Sequence, residues 1–206
     1  MRNVVLQMHT TLDGYADSKT GFIPLADRTY SDELEKALEE TGAATGKVDT
    51  LLLGRGTYKQ FETFWPKAAR DPSTPKDWRE QARFLDETPK VVFSRRLRAA
   101  KWQPTTIVRG DLTREIGRLK KMPGKNMLIP GGVAFPRAMI ERNLVDEYLL
   151  SVVPIIVGQG PDRLFGPLRR QRNLRPIRSW TFSNGVTMHR LRPEKGNAPW
   201  FQPPSF

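Results

Sequence analysis

Thr50-Leu51-Leu52-Leu53-Gly54-Arg55-Gly56-Thr57 is the stretch on which the fold turns. Three leucines with no polar interruption, stopped by glycine, form the pattern of a strand covered on both faces. The glycines and the threonine that follow can open a helix whose first N–H groups point at an anion. The same punctuation recurs further along: Val91-Val92-Phe93 stops at Ser94-Arg95-Arg96, and Met127-Leu128-Ile129 stops at Pro130-Gly131-Gly132-Val133-Ala134-Phe135. Each of these motifs is common by itself. Three at the ends of buried strands form a more selective set, and neither the Gly-x-Gly-x-x-Gly of a classical dinucleotide fold nor a P-loop accompanies them.

The intervening segments supply helices and further strands. Asn3 to His9 reads as a first strand running into the turn Asp13-Gly14-Tyr15. Ser31 is a candidate N-cap for a helix reaching Gly46, with Asp32, Glu33 and Glu35 in its first turn. A short helix over Gly56 to Phe61 is expected next, then a loop from Trp65, and a second helix opened by Pro75 and running to Glu87. Thr106 to Val108 is a strand, Asp111 caps a helix ending near Gly124, and Ala134 to Arg142 is a helix. Asp146 to Pro154 is the longest strand candidate. Asn184-Gly185 between Trp180-Thr181-Phe182 and Val186-Thr187-Met188 is a strong hairpin signal. Alternating strands and helices closed by a hairpin predict a three-layer α/β/α fold with a mixed, mostly parallel sheet.

Composition narrows the function classes. The 206 residues fit one domain, here expected over 1–192 with a Pro- and aromatic-rich tail over 193–206. No apolar run nears the ~20 residues of a membrane span, no signal-peptide pattern opens the chain, and cysteine is absent, so a cytoplasmic protein is expected. The net charge of +12 is one-sided, with +2 before Pro104 and +10 from Pro104 onward. Much of the excess lies in Arg163, Arg169, Arg170, Arg172, Arg175 and Arg178, a segment without helical period. No recognition helix or stacking motif accompanies it, so a solvated basic loop is favoured over nucleic-acid binding. His9 and His189 are the only histidines and lack a partner at metal spacing, so no metal site is expected.

The set Thr11-Leu12-Asp13-Gly14-Tyr15, Leu53-Gly54-Arg55-Gly56-Thr57-Tyr58, Val92-Phe93-Ser94-Arg95, Ile129-Pro130-Gly131-Gly132 and Leu144-Val145-Asp146-Glu147-Tyr148, continuing to Val153-Pro154 and Gly158-Gln159-Gly160, resembles the dihydrofolate reductase-like superfamily. Within it the chain looks most like the reductase domain of the bifunctional riboflavin-biosynthesis deaminase/reductase. The resemblance covers about Arg2 to Arg192. It implies NADPH held by Gly54, Arg55 and Thr57, by Ser94 and Arg95 near the adenosine 2′-phosphate, and by Gly131, Gly132, Val133, Ala134 and Phe135 around the pyrophosphate. It also implies a homodimer and reduction of a small heterocyclic or sugar-linked substrate, as in 5-amino-6-(5-phosphoribosylamino)uracil reductase. At Pro130 the chain departs from the acidic residue many such reductases carry before the Gly-Gly pair.

Asp13 is the candidate for orienting substrate or relaying the proton, with a turn-forming role as its alternative. Tyr15, Phe22 and Trp65 are candidates for walling an aromatic substrate, with core packing as the alternative. The carboxylates Asp32, Glu33, Glu35, Glu39 and Glu40 read as a solvated helix face. A folate-type or other imine or carbonyl reductase, and a phosphate- or nucleic-acid-binding module on the same fold, are the competing readings.

Overall fold

In a computed structural model, which describes residues 1–16, 31–159, 163–166, 168 and 171–194, a single eight-stranded sheet carries helices on both faces. In chain order the elements are β1 (Val4–Thr11), α1 (Asp32–Glu39), a 3-10 turn (Thr45–Lys47), β2 (Val48–Gly54), α2 (Arg55–Arg70), α3 (Lys76–Glu87), β3 (Lys90–Phe93) and β4 (Thr105–Val108). There follow α4 (Leu112–Lys121), β5 (Asn126–Ile129), α5 (Ala134–Glu141), β6 (Glu147–Val153), β7 (Leu174–Thr181) and β8 (Thr187–Pro193). The strand order is β4-β3-β2-β5-β1-β6-β8-β7. The first six run parallel, while β8 is antiparallel to β6 and to β7. This is the dihydrofolate reductase-like architecture, and it brings the carboxyl ends of six strands to one edge.

The central strands are apolar because both their faces are covered. Leu51, Leu52 and Leu53 are buried, with Leu52 packed on one face and its two neighbours on the other. One layer packs Ile116 of α4 and Met139 of α5 against β1, β2 and β5. The opposite layer packs Phe61 and Trp65 of α2 and Ala82 and Leu85 of α3 against β2 and β3. A third cluster seats Leu34 and Ala37 of α1 on Val153, Phe182 and Met188, so α1 lies over the β6–β8 side.

Two expected caps are present: Ser31 Oγ accepts from Leu34 N, and the Asp111 side chain accepts from Arg114 N. The hairpin turn also forms, with Gly185 at φ +82°. Four expectations are corrected. The short helix ending at Phe61 continues to Arg70 through Pro66, because Trp65, Ala68 and Ala69 are buried and their packing outweighs the missing proline N–H. The first helix stops at Glu39, and Ala44 lies beyond it. The arginine segment is not all loop: Arg175 and Arg178 sit on β7, an edge strand with mostly exposed side chains. The longest strands are β1 and β7, with 8 residues each against 7 for β6. The tail beyond Glu194, like Phe22, lies outside the described residues.

Candidate functional site

The three glycine-marked turns come together. Gly54 pairs with Phe93 across β2 and β3, which sets the Ser94 turn beside the start of α2. The Phe93 ring stacks on Phe135 at 5.2 Å between centroids, which ties both to the start of α5. A Cβ on Gly54 would stand 2.7 Å from Phe135 Cβ, and a Cβ on Gly132 would run into Thr57 Oγ1. Gly132 is at φ +83° and Gly131 at φ +150°, so the backbone conformation favours glycine at both, and at Gly132 the space does too.

What this cluster presents outward is N–H groups and positive charge. Neither α2, opened by Gly54, nor α5, opened by Val133, receives a side-chain cap. Their first N–H groups are therefore available to an anion, and each helix brings the positive end of its dipole. Arg55 and Arg95 are exposed beside them, and segments 54–58, 94–97 and 130–135 contain no carboxylate. Thr57 is buried against Gly132, whereas Ala134 is exposed and Val133 half-buried. Ser94 Oγ accepts from Arg96 N at 3.1 Å and Leu97 N at 2.9 Å, which fixes the turn carrying Arg95.

Asp13 is held differently. Its carboxylate accepts from Thr11 Oγ1 at 2.6 Å, from Val157 N at 3.3 Å and from Gly158 N at 2.8 Å. The bond from Thr11, with those from the Gly158 and Val157 amides, keeps its carboxyl below the ordinary range against a smaller opposing effect of desolvation. Asp13 therefore pins the loop after β6 to the end of β1. Tyr15 lies half-buried, bridged to Arg163 in backbone pairing, with the Arg163 guanidinium 5.9 Å from its ring centre. Trp65 is 3% exposed and stacks on Trp78 at 6.3 Å between α2 and α3, so it is core and not a wall of a site.

A cavity of about 390 Å³ opens on the sheet face between α1 and α3. Gln7 and His9 of β1 form its floor, Glu35 and Glu39 line it from α1, and Glu80 and Gln81 from α3. Phe84 adds an apolar wall. Burial lowers the His9 imidazole from 6.5 to about 4, so it stays neutral at physiological pH. Sequence reasoning missed this cavity because its polar groups come from three distant segments. The acidic run on α1 divides in space: Glu33 accepts from Ser183 N and Oγ, Glu40 pairs with Arg178, and Glu35 and Glu39 face the cavity. Their spacing of four on a helix was the signal that could have separated them.

Much of the C-terminal basic charge is committed to structure. Arg190 and Arg192 bind the buried Glu147; burial would raise that carboxyl, but the two guanidiniums hold it low. Arg172 donates to the Ile140 and Glu141 carbonyls at the end of α5, and Arg178 lies over Trp180. Among the described residues no group of three His, Cys, Asp or Glu is arranged to hold a metal, and no helix is long and apolar enough to cross a membrane.

Residues 2–188 match the family described as the RibD C-terminal domain. The chain is 30% identical over 190 residues to the uncharacterized protein YyaP of Bacillus subtilis (strain 168), covering 90% of this chain and 92% of that one. A solved protein from Shewanella sp. PV-4, named for riboflavin biosynthesis, superposes with a TM-score of 0.70 at 23% identity over 94% of this chain and 99% of that one. A diaminohydroxyphosphoribosylaminopyrimidine deaminase/5-amino-6-(5-phosphoribosylamino)uracil reductase from Thermotoga maritima gives 0.60 at 16% identity, over 93% of this chain and 56% of that one. Both structural likenesses bear on the fold.

Proposed function

The chain belongs to the RibD C-terminal domain family, and from that premise we propose that it is an NADPH-dependent reductase of a small heterocyclic substrate. The observation that carries the reading is the convergence of the Gly54–Thr57, Ser94–Arg95 and Gly131–Phe135 turns into one carboxylate-free, N–H-rich edge. A dinucleotide with three phosphates fits that edge. The uncapped starts of α2 and α5 and the glycines at 131 and 132 take the pyrophosphate, Arg55 and Thr57 support it, and Arg95 on the turn fixed by Ser94 takes the 2′-phosphate.

A reduced nicotinamide cofactor held by these residues would supply hydride from C4 to an electron-poor carbon of the substrate, becoming the oxidised dinucleotide. The protein's share is placement. The cavity lies along β1, and β1 pairs with β5, the strand that ends at the Gly131–Gly132 turn. Gln7 and neutral His9 on its floor offer hydrogen bonds to the edge of a flat ring, and Phe84 covers a ring face. Asp13 and the loop at 157–158 brace the end of β1. The proton that balances the hydride would come from water.

A cytoplasmic homodimer is part of the same proposal, supported by family membership and by a sequence without cysteine. Titration with NADPH tests the reading: nicotinamide fluorescence should change saturably, and no saturation up to millimolar concentration rejects it.

A further inference from the structure

Resting on the reductase reading of the cavity between α1 and α3, we infer that its substrate is an uncharged or cationic heterocycle carrying no phosphate. Among the described residues, every formally charged side chain in the lining is acidic: Glu35, Glu39 and Glu80. No lysine or arginine joins them, and no ion partner for Glu35 or Glu39 is found among the described residues. Lys47, next to the lining residue Gly46, donates at 2.9 Å to the backbone carbonyl of Glu39 and is spent on the end of α1. Lys76 approaches Glu80 only to 4.0 Å, one turn away on an exposed helix face.

Phosphate recognition draws on guanidinium or ammonium groups, or on free N–H groups at a helix start. Among the described residues the lining offers no guanidinium or ammonium group. The start of α1 beside it is capped by Ser31 Oγ, and α3 contributes its middle turns, well past its N-terminus. A space of about 390 Å³ is roughly 9 Å across, comparable to the ~8 Å Debye length at physiological salt, so screening weakens the repulsion of an anion by the lining carboxylates without removing it. A phosphoryl group on any occupant would sit among the carboxylates. Exocyclic amino groups instead find acceptors in Glu35, Glu39 and Gln7. Among the described residues the groups suited to phosphate thus lie at the strand-end turns and not in the cavity lining.

The test is calorimetric titration of the NADPH-saturated protein with an aminouracil riboside and with its 5′-phosphate. At ~0.15 M salt the riboside should bind at least about tenfold more tightly, and the gap should narrow to within about threefold at ~1 M, where screening shortens to ~3 Å. A double variant, Glu35→Lys with Glu39→Lys, changes exposed positions and should invert the preference while its melting curve stays near wild type. A second pair, 2,4-diaminopyrimidine against a pyrimidine carboxylate, applies the same charge test without a sugar, the diaminopyrimidine being favoured. Tighter binding of the anionic member of either pair, an unchanged ratio in the double variant, or binding of none of the four overturns the inference. Because NADPH saturation is measured first, its failure sinks the reductase reading, whereas saturation followed by a preference for phosphate sinks this inference alone.

Discussion

The strand-end turns and the cavity beside them lie along neighbouring strands yet differ in charge. The turns carry Arg55 and Arg95 with two uncapped helix starts and no carboxylate; the cavity carries Glu35, Glu39 and Glu80 and no basic group among the described residues. The helix starts differ as well, since Ser31 caps the one beside the cavity. A net charge of +12 therefore says little about either place. On the proposed reading, local sign would partition one ligand from another, with an anionic dinucleotide on one side and an uncharged or cationic substrate on the other.

The largest test of that division is at its tightest point. Gly132→Val places a side chain on Thr57 Oγ1 at a φ of +83°, and NADPH affinity should fall by two orders of magnitude or more. Unfolding free energy should drop by about 1–3 kcal/mol as measured by denaturant titration. Retained NADPH affinity would separate the turn from the cofactor. Next, Arg55→Ala should weaken NADPH by about 1–3 kcal/mol while leaving the affinity of a cavity ligand unmoved. Equal losses for both ligands would erase the partition.

His9 gives a pH test of the cavity side. Its imidazole sits at about 4 in the fold against 6.5 when free, so the unfolded chain takes up a proton first as pH falls. Stability should be unaffected by this group above pH 6.5 and should decline between 6.5 and about 4, by on the order of 2–3 kcal/mol. His9→Gln should flatten that part of the stability curve. A curve as steep as wild type would assign that loss of stability to another group.

The smallest effect is expected at Asp13. Asp13→Asn puts an amide where one carboxylate oxygen faces the Gly158 N–H, so the melting temperature should fall modestly. The pH profile of NADPH oxidation should keep its shape. A displaced acid limb would identify Asp13 as the proton relay.

Much of the fold was legible in the sequence because its signals are local. Leu51–Leu53 before Gly54, the caps Ser31 and Asp111, and Asn184-Gly185 each determine their own few residues. The continuation of α2 past Pro66 was not, since a proline penalty is visible in sequence while the burial of Trp65 and Ala69 that outweighs it is a tertiary fact. The set of converging turns was legible in part, because each turn repeats one pattern at a strand end. The cavity was not: Gln7, Glu39 and Gln81 look like ordinary solvated polar residues until three elements bring them together. Trp65 misled for the converse reason, as an aromatic side chain looks the same in a core and in a binding wall.

The most direct measurement is the crystal structure of the protein with NADPH bound. The pyrophosphate should lie against the amides of Gly131–Phe135, with Arg55 at its side and the nicotinamide at the mouth of the cavity floored by Gln7 and His9. A cofactor seated anywhere else, or phosphates facing Glu35 and Glu39, would contradict it.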